Sequence, residues 1–411
     1  LAINTSPKFN IAVSFKGFRS LGKYLSSLSR ARQFRLSSQY QSYNQRYRMR
    51  LHQTTQSIEN QVNGGLTNAS NYFFENAPNY VSADEEGIPI LDEDGKEQIV
   101  FYDGFLDRNR LGTHLKADNI LKGKRYFMEH RYQLFPIKKD STVYKMSVGL
   151  RTSLENKTYQ YIQDKPGKYF YETYENSVVV DSTMFNTIEN NLFLSFKDKT
   201  LGQFNLDLYH HNWNYSIGLN EYEKDTVLSN EIKANQIAVQ ARWEKEIFGF
   251  NSKAMVYKSL KNEYATQALR VNLSRNIIKD IILGASYNYR SQPLNFNFYL
   301  TQSDFREYNW ENSSLKNQNF KTQSIFLSHP KWGSIKADRT SIINYTFFNN
   351  ITSLKDFNER FRLEVLQTDK TIDYLKVRLD NRFDFGNFSW VNNLQYQKVN
   401  QEENTEEILS G

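Results

Sequence analysis

The sequence predicts an all-β protein, a large antiparallel transmembrane β-barrel of about 14–18 strands with long extracellular loops. Three observations predict this class. Apolar and polar residues alternate in one segment after another, the links between these segments are alternately short and long, and aromatic residues reach 15% of a chain whose mean hydropathy is only −0.69. A membrane-crossing strand needs only about 9–11 residues with one apolar face, so a barrel can be hydrophilic on average.

The composition argues against several other classes of protein. No segment approaches the roughly 18 uninterrupted apolar residues that a transmembrane helix needs. The chain has no Cys, which removes disulfides, thiolate metal sites and Cys nucleophiles. The net charge of +7 arises from basic residues that are spread along the chain among acidic ones, so we expect no nucleic-acid partner.

The first clear strands lie near the start of the chain. Between Gln33 and Tyr40, Phe34 and Leu36 fall on one face while Arg35 falls on the other. In the next segment, basic side chains alternate with apolar ones: Arg46, Arg48, Arg50 and His52 against Tyr47, Met49 and Leu51. Such alternation is expected of a strand with one face in lipid and the other in water.

The same two-residue period returns in later segments. In chain order, the apolar members are Tyr144, Met146, Val148 and Leu150; Phe204, Leu206 and Leu208; Ile237, Val239, Ala241 and Trp243; Leu269, Val271 and Leu273; and Leu375, Val377 and Leu379. Polar residues fill the positions between most of them, so each segment predicts a strand with two unlike faces. Aromatic residues near the strand ends are expected to form interfacial girdles.

The links between the predicted strands alternate in length. The link from Trp213 to Gln236 is long and the one from Trp243 to Phe250 is short. Outer-membrane barrels have this order because tight periplasmic turns lie at one rim and longer extracellular loops at the other. After about residue 350 we expect the order to fail, since residues 368–371 and 385–387 form two short links in succession.

These strands predict a single outer-membrane β-barrel domain over residues 1–411. We expect the barrel to be incomplete at one or both ends, because the chain does not finish on an aromatic-ended strand. Residues 66–123 are expected to form a long loop with an extramembrane hairpin. In this hairpin, Ile88 to Leu91 and Ile99 to Phe101 would flank a tight Asp94-Gly95 turn.

Several motifs in the first third of the chain resemble a known family. They are the segment from Phe9 to Phe15, the run Gly17-Phe18-Arg19-Ser20-Leu21-Gly22-Lys23-Tyr24, the strand from Arg46 to Leu51, the run from Asp103 to Leu111, and His130-Arg131-Tyr132. Together they resemble the putative porin family of Bacteroidetes outer membranes. The resemblance implies a barrel in the outer membrane of a Gram-negative bacterium with a transport role, and it attaches no chemistry to these motifs.

The polar members of the alternating segments are the candidate functional residues, because they would line the lumen and set its selectivity. They are Arg35, Arg46, Arg48, Arg50, Lys145, Arg151, Asp207, Arg242, Arg270, Lys376 and Arg378. The ladder from Arg46 to His52 has two interpretations. It could be a strip that attracts anions, or its cations could be paired with acids on neighbouring strands.

Other candidate sites fit known chemistry poorly. The acidic residues Asp84 to Glu86 and Asp92 to Asp94 suggest a calcium site, but their spacing to Gly95 does not match an EF-hand loop. His210 and His211 are adjacent, so on a strand they point to opposite faces and cannot chelate one ion together. No catalytic motif or cofactor fingerprint occurs, and we expect no enzyme activity, no cofactor and no metal.

The expected function is passive diffusion of small hydrophilic solutes through a net-basic lumen that could favour anions. The alternative is a structural or accessory barrel subunit of an outer-membrane secretion, motility or envelope assembly, whose wall is a docking surface. The expected partners are outer-membrane lipid, lipopolysaccharide and small solutes. If the protein is an accessory subunit, we expect other envelope proteins as further partners.

Overall fold

The computed structural model of the protein describes residues 2–76, 79–81, 88–101, 108, 111–135, 144–164, 166, 173–174, 178–218, 229–261, 264–278, 280–306, 308–350 and 363–400. In chain order its elements are β1 (Ala2–Ser6), β2 (Phe9–Ser20), β3 (Ser29–Gln41), β4 (Tyr47–Val62), α1 (Asn68–Asn76), β5 (Asn79–Val81), β6 (Ile99–Phe101), β7 (Ala117–Gln133), β8 (Tyr144–Asp164), β9 (Val178–Asp198), β10 (Gly202–Ile217), β11 (Glu231–Ile247), β12 (Phe250–Ser259), β13 (Gln267–Ile278), β14 (Ile281–Gln292), α2 (Phe296–Tyr299), β15 (Leu300–Thr301), β16 (Trp310–Glu311), β17 (Gln318–His329), β18 (Gly333–Ile343), β19 (Thr346–Asn350), β20 (Leu363–Gln367), β21 (Ile372–Phe385) and β22 (Phe388–Asn400).

One antiparallel sheet of 16 strands dominates the structure and confirms the predicted fold class. Its strands pair in chain order from β1 to β22, and the pairs β5–β6, β15–β16 and β19–β20 lie outside it in the links. This meander is the wall of a large antiparallel β-barrel. Among the described residues no ladder joins β1 to β22. No helix in the described ranges is long and apolar enough to cross a membrane.

The two faces of the large sheet differ in polarity, as the alternation predicts. On β10, Leu206 and Leu208 are 50% and 44% exposed, whereas Asp207 between them is completely buried. Cross-strand neighbours continue each face, because Leu206 lies opposite Leu194 and Asp207 lies opposite Phe193. A soluble sheet would bury its apolar face, whereas here the polar face is turned inward and the apolar face outward, as in a barrel that sits in lipid.

Links at the two ends of the sheet differ in length. At one end, the short-link end, lie residues 7–8, 42–46, 134–143, 199–201, 248–249, 279–280, 330–332 and 386–387. At the other, the long-link end, lie residues 21–28, 63–116, 165–177, 218–230, 260–266, 293–317 and 344–371.

The alternation of link lengths holds to the end of the chain, so the expected failure after residue 350 is wrong. The strand β20 pairs with β19 outside the sheet, and residues 368–371 are only the last part of the long link 344–371. By the usual order of outer-membrane barrels, the short-link end is periplasmic and the long-link end is extracellular.

The link 63–116 contains the predicted Asp94-Gly95 turn, but the predicted second arm, Ile99–Phe101, pairs as β6 with β5 (Asn79–Val81) and not with residues 88–91. The Gly95 N–H donates to the Asp92 carbonyl over 3.0 Å, Gly95 has a φ of +76°, and Leu91 bridges to Glu97. The Asp92 carboxylate accepts the N–H groups of Asp94 and Lys96, which uses it within the turn. The predicted loop ends earlier than residue 123, because β7 begins at Ala117. Residues 84–86 of the acidic run lie outside the described residues, and the extramembrane position stays a prediction.

Exposed aromatic side chains mark the short-link end of the outer face. Phe248, Trp332 and Phe388 lie in or beside short links and are exposed. Trp243, near the end of β11, donates its ring N–H to the Leu201 carbonyl over 2.9 Å. Amphipathic rings at this level fit the boundary between lipid tails and water.

Candidate solute pathway

The polar face of the sheet carries the residues that the sequence assigns to the lumen. Because cross-strand partners share a face, the register extends this face from Asp207 along the whole sheet. The face includes Arg35, Arg48, Arg50, Lys145, Arg151, Arg242, Arg270, Lys376 and Arg378. Their contact with a transported solute stays a prediction.

Basic side chains outnumber acidic ones on the polar face. The basic residues are Lys16, Arg35, Arg48, Arg50, Arg125, Arg131, Lys145, Arg151, Lys157, Lys197, Arg242, Lys253, Arg270, Arg290, Lys336, Lys376, Arg378 and Arg382. The acidic residues are Glu129, Glu155, Asp181, Glu189, Asp207, Glu244, Glu246, Asp338, Asp380 and Asp384. The face therefore has a net positive charge.

Asp207 is the centre of an ion-pair chain that crosses several strands. Its Oδ2 lies 2.9 Å from Nη2 of Arg242 on the next strand, and its Oδ1 lies 3.6 Å from Nη1 of Arg151 on β8. Asn191 donates to Oδ1 over 3.3 Å. Arg151 donates its Nε–H to Glu129 over 2.7 Å. The carboxylates of Asp207 and Glu129 thus each contact a guanidinium group. These contacts offset the free-energy cost of burying the Asp207 carboxylate completely.

A phenyl ring and a glycine fix the position of this chain. The guanidinium carbons of Arg151 and Arg131 lie 4.0 Å and 5.1 Å from the centroid of the Phe193 ring. The ring rests on Gly149, where a Cβ would lie 2.3 Å from it. Only a residue without a side chain leaves room for Phe193, and Phe193 in turn supports both arginines through cation–π contact.

Arg48 and Arg50 form a stretch of the polar face that is rich in positive charge. Arg48 lies opposite Gln41 and Arg131, and Arg50 lies opposite Gln39 and Glu129. Within the described residues neither one makes an ion pair, while Glu129 already contacts Arg151. Among the described residues Arg48 and Arg50 thus lack the ion pairs that the second interpretation of the ladder requires, although Glu129 lies opposite Arg50.

Arg46 and His52, at the two ends of the ladder, have different surroundings. The guanidinium of Arg46 donates to the carbonyls of Gln133 and Leu134 over 3.0 Å and 2.6 Å, so it ties the start of β4 to the neighbouring short link. The His52 ring stacks on Phe127 with a centroid separation of 4.8 Å. Neither of these side chains presents a free charge in the way that Arg48 and Arg50 do.

A basic cavity of about 330 Å³ lies farther up the polar face of the same strands. Its lining includes Arg35, His52, Arg125, Glu155 and Lys157. Glu155 contacts Lys157 over 3.1 Å, which leaves the guanidinium groups of Arg35 and Arg125 to dominate the local charge. The positively charged part of the polar face therefore continues from Arg48 and Arg50 through this cavity toward the long-link end.

A column of aromatic rings follows the polar face of β10. The ring centroids of Tyr209 and His211 are 5.3 Å apart and those of His211 and Trp213 are 5.6 Å apart, with nearly parallel planes. The His211 ring also lies 3.4 Å from the Glu189 carboxylate and 3.3 Å from the Tyr257 hydroxyl. These contacts hold the imidazole between β9 and β12, so it is a structural part of the wall.

Residues 293–317, here called the mouth segment, fold over the polar face at the long-link end. The segment leaves the sheet between β14 and β17 but packs against β9 to β11. Tyr215 donates its hydroxyl to the Leu300 carbonyl over 3.2 Å, and the Phe296 ring lies 5.5 Å from that of Tyr215. Leu300 is buried against Tyr215 and Ile217. Since these partners point inward, the segment occupies part of the barrel mouth.

Polar contacts hold the middle of the mouth segment against β9 and fix its first turn internally. Ser303 and the Asp304 N–H donate to the Asp181 carboxylate over 2.5 Å and 2.7 Å. The hydroxyl of Tyr299 accepts the Leu294 N–H over 3.2 Å. Burial raises the pKa of Tyr299, and this hydrogen bond opposes part of the rise. The phenol therefore stays neutral at physiological pH and holds its place as an acceptor.

The strand β19 packs against the mouth segment. The ring of Phe348 on β19 stacks on Phe298 with a centroid separation of 4.6 Å and lies 5.7 Å from Trp310. A cavity of about 390 Å³ is lined by residues of the mouth segment, both polar and apolar, together with Ile232 and Tyr264. Parts of two links thus pack together at the mouth and narrow it, and the cavity leaves space for a small solute.

The other predicted residues are spread around the wall. Lys145 lies opposite Lys197 near the short-link end, and Arg270 lies opposite Met255 and Asn288. Arg378 contacts Asp380 over 2.7 Å, and Lys376 lies opposite Asp338. The structure thus brings together Arg151, Asp207 and Arg242, and it separates them from the group on β21.

Sequence reasoning missed two parts of the pathway. Glu129 and Arg131 alternate with Met128 and His130, so the same two-residue period could have identified them. The mouth segment gives only a cluster of aromatic residues as its signal, because its partners on β9 to β11 are distant in the chain. Among the described residues no group of three His, Cys, Asp or Glu side chains could hold a metal ion.

Comparison with protein families and curated proteins gives one match. A family model described as "Putative porin" matches residues 1–407. No curated protein matches the chain.

Solved structures similar to this chain are large receptors with low sequence identity. A mutant of the ferric enterobactin receptor from Pseudomonas aeruginosa is 10% identical with a TM-score of 0.59, and the match covers 96% of this chain and 58% of the receptor. The siderophore receptor PirA from Acinetobacter baumannii is 10% identical with a TM-score of 0.58, covering 96% and 58%. FpvA from P. aeruginosa, in complex with a heterologous pyoverdine, is 9% identical with a TM-score of 0.54, covering 96% and 52%. The chain thus spans less than two thirds of each receptor, and these likenesses establish the β-barrel fold alone.

Proposed function

The chain belongs to the putative porin family and forms a β-barrel of the outer membrane of a Gram-negative bacterium, and from this premise we propose that small hydrophilic solutes diffuse passively through its lumen, with a preference for anions. The observation that supports this most is the arginine pair Arg48 and Arg50. Both lie on the polar face beside Arg131, and neither forms an ion pair among the described residues, because Glu129, which lies opposite Arg50, is bound to Arg151. Unneutralised cations on a pore wall raise the local concentration of anions.

The mouth segment supports a limit on solute size. It crosses the polar face between β14 and β9 and lines a cavity of about 390 Å³. Small solutes of a few carbon atoms would pass more readily than oligomers. This part of the proposal concerns size, whereas the arginine pair concerns charge, and the two can be tested separately.

The charge preference can be tested in planar bilayers. Purified protein separates two KCl solutions of different concentration, and the reversal potential gives the ratio of chloride to potassium permeability. We expect wild-type protein to favour chloride and the double variant Arg48→Gln/Arg50→Gln to shift toward potassium. The matched control is Lys233→Gln/Lys321→Gln, which removes the same charge from the outer face and should leave the ratio unchanged.

One outcome would contradict the pore and another its proposed selectivity. A folded, heat-modifiable protein that gives no conductance excludes passage of small ions, and an unchanged reversal potential in the double variant excludes the arginine pair as the source of selectivity. The first outcome would favour the accessory-subunit function, for which the packing of Phe348 on Phe298 across the mouth is the supporting contact. Recovery of the protein in a stable complex with other envelope proteins would then be the expected companion result.

A further inference from the structure

The outer face of the barrel carries a cluster of basic side chains toward the long-link end of β2, β3 and β7. We call Arg19, Arg32, Lys122 and Lys124 the outer basic patch. The register places them side by side: Arg32 lies opposite Ser57, and Ser57 lies opposite Lys122. All four share the face of exposed apolar residues such as Phe15 and Met128, so they point away from the lumen.

The patch has little acid to neutralise it. Arg30, on the same face, forms an ion pair with Glu59, in which its Nε lies 2.7 Å from the carboxylate. Arg32, Lys122 and Lys124 are exposed and make no ion pair within the described ranges. Like charges this close repel one another. Such a cluster is therefore favourable only where an anion from outside the chain lies against it.

The depth of the patch matches the boundary of the outer leaflet. Tyr132 on β7 and Tyr40 on β3 lie toward the short-link end of the same face. From Tyr132 to Lys124, and from Tyr40 to Arg32, each strand rises ~20 Å along the membrane normal, at ~3.3 Å per residue and a tilt of ~40°. The apolar band of an outer-membrane barrel is ~25 Å tall. Long basic side chains at this level extend to the head groups.

We propose that the outer basic patch binds the phosphate groups of lipopolysaccharide in the outer leaflet. The long-link end is extracellular, and the leaflet on that side consists of phosphorylated lipid anchors with several acyl chains. Arg32, Lys122 and Lys124 supply charge-assisted hydrogen bonds, and the hydroxyls of Ser57 and Thr55 lie between them as further donors. The apolar face below them receives the acyl chains.

A neighbouring arc of the wall lacks this chemistry. Along the row that continues from Lys124, the outer face carries Asn156, Asn186 and Asn214, which are neutral. Beyond them, Lys233 is bound to Glu231, and Arg339 on β18 lies 3.4 Å from Asp373. Lys258 and Lys321 lie singly on the outer face of β12 and β17, so the clustered cations are those on the arc of β2 to β7.

Binding can be measured by native mass spectrometry of the detergent-solubilised protein with bisphosphorylated lipid A as the probe. We expect the triple variant Arg32→Gln/Lys122→Gln/Lys124→Gln to bind lipid A more weakly by roughly fivefold per cation, or on the order of 100-fold in all. The matched control Lys233→Gln/Lys321→Gln/Arg339→Gln removes the same charge elsewhere on the outer face and should bind as the wild type does. Gel mobility before and after heating verifies that all three proteins are folded.

Lipid A without its phosphates separates charge from acyl-chain contact. We expect wild-type protein to bind this lipid as weakly as the triple variant binds the phosphorylated form. Equal loss of binding in the control variant would show a general charge effect, and an unchanged affinity in the triple variant would place the lipid elsewhere. Either result overturns the proposal. Because the patch lies outside the lumen, conductance does not depend on this outcome.

Discussion

An arginine introduced at Leu192 on β9 tests which face of the wall meets lipid. Leu192 is 51% exposed on the outer face, and its cross-strand neighbours Leu150 and Leu208 are exposed as well. From Phe196 near the short link, the strand rises ~10 Å to Leu192, at ~3.3 Å per residue and a tilt of ~40°. An apolar band ~25 Å tall then places Leu192 close to the bilayer midplane.

The expected cost follows from this depth. Arginine on the lipid face of a barrel lowers the free energy of unfolding by about 2–4 kcal/mol at the midplane and by about 0–1 kcal/mol near the interfaces. We therefore expect Leu192→Arg to destabilise the protein by about 2–4 kcal/mol. Gln240→Arg is the matched control, because Gln240 is on the polar face opposite Asp207, where a new guanidinium meets a carboxylate.

Reversible unfolding in urea, in phospholipid vesicles and followed by Trp fluorescence, gives both free energies. Leu192→Ala measures the part that comes from the lost leucine side chain, and the difference between the Arg and Ala variants gives the cost of the charge. Equal costs for Leu192→Arg and Gln240→Arg would refute the assignment of the two faces. A larger cost at Gln240 would mean that the sheet is folded with its apolar face inward.

Three further predictions concern the pathway. Asp207→Asn removes the buried carboxylate between Arg151 and Arg242, so we expect a loss of about 3 kcal/mol in urea unfolding and a reversal potential that shifts further toward chloride; a shift toward potassium would contradict the charge argument. Gly149→Ala drives a methyl group against both the Phe193 ring and the His130 carbonyl oxygen, each 2.3 Å away, and should cost about 1–3 kcal/mol, whereas Gly123→Ala, whose new methyl group would have its nearest neighbour 3.9 Å away, should cost far less; equal costs would show that the ring and the neighbouring strand both have room to move. Phe296→Ala with Leu300→Ala should release the mouth segment and raise single-channel conductance and the size of permeant sugars in liposome swelling; unchanged values would mean that the segment does not narrow the path.

The sequence predicts the wall well because one physical requirement repeats in every strand. A residue between two lipid-facing neighbours must face the other way, so Asp207 between Leu206 and Leu208 could be assigned from the chain alone. The two-residue period therefore identifies the face of Arg151 and Arg242 without any knowledge of their partners. It cannot show how deep in the wall each residue lies.

Partners depend on register, which the sequence leaves open. Arg50 lies opposite Glu129 and Arg48 opposite Arg131, and a shift of β4 by two residues along β7 would place Arg48 opposite Glu129 and Arg50 opposite Phe127 without changing any face. The two-residue period assigns Arg46 to the polar face, yet its guanidinium donates to the carbonyls of Gln133 and Leu134 where β7 ends. The failure expected after residue 350 arose because β20 has the pattern of a wall strand but pairs only with β19.

The charge of the wall is unevenly distributed around the barrel, and this bears on selectivity. On β18 and β21, Lys336 contacts Asp338 over 2.8 Å and Arg382 contacts Asp384 over 2.9 Å, so this arc largely neutralises itself. On the polar face of β4 and β7, Glu129 is the one acid among Arg48, Arg50, Arg125 and Arg131. The electric field that steers anions therefore arises mainly from the arginines of β4 and β7. The ion pairs on β18 and β21 are far away across the lumen and weaken this field little. Removal of cations from the β4 arc should therefore alter selectivity more than removal of the same number from β21.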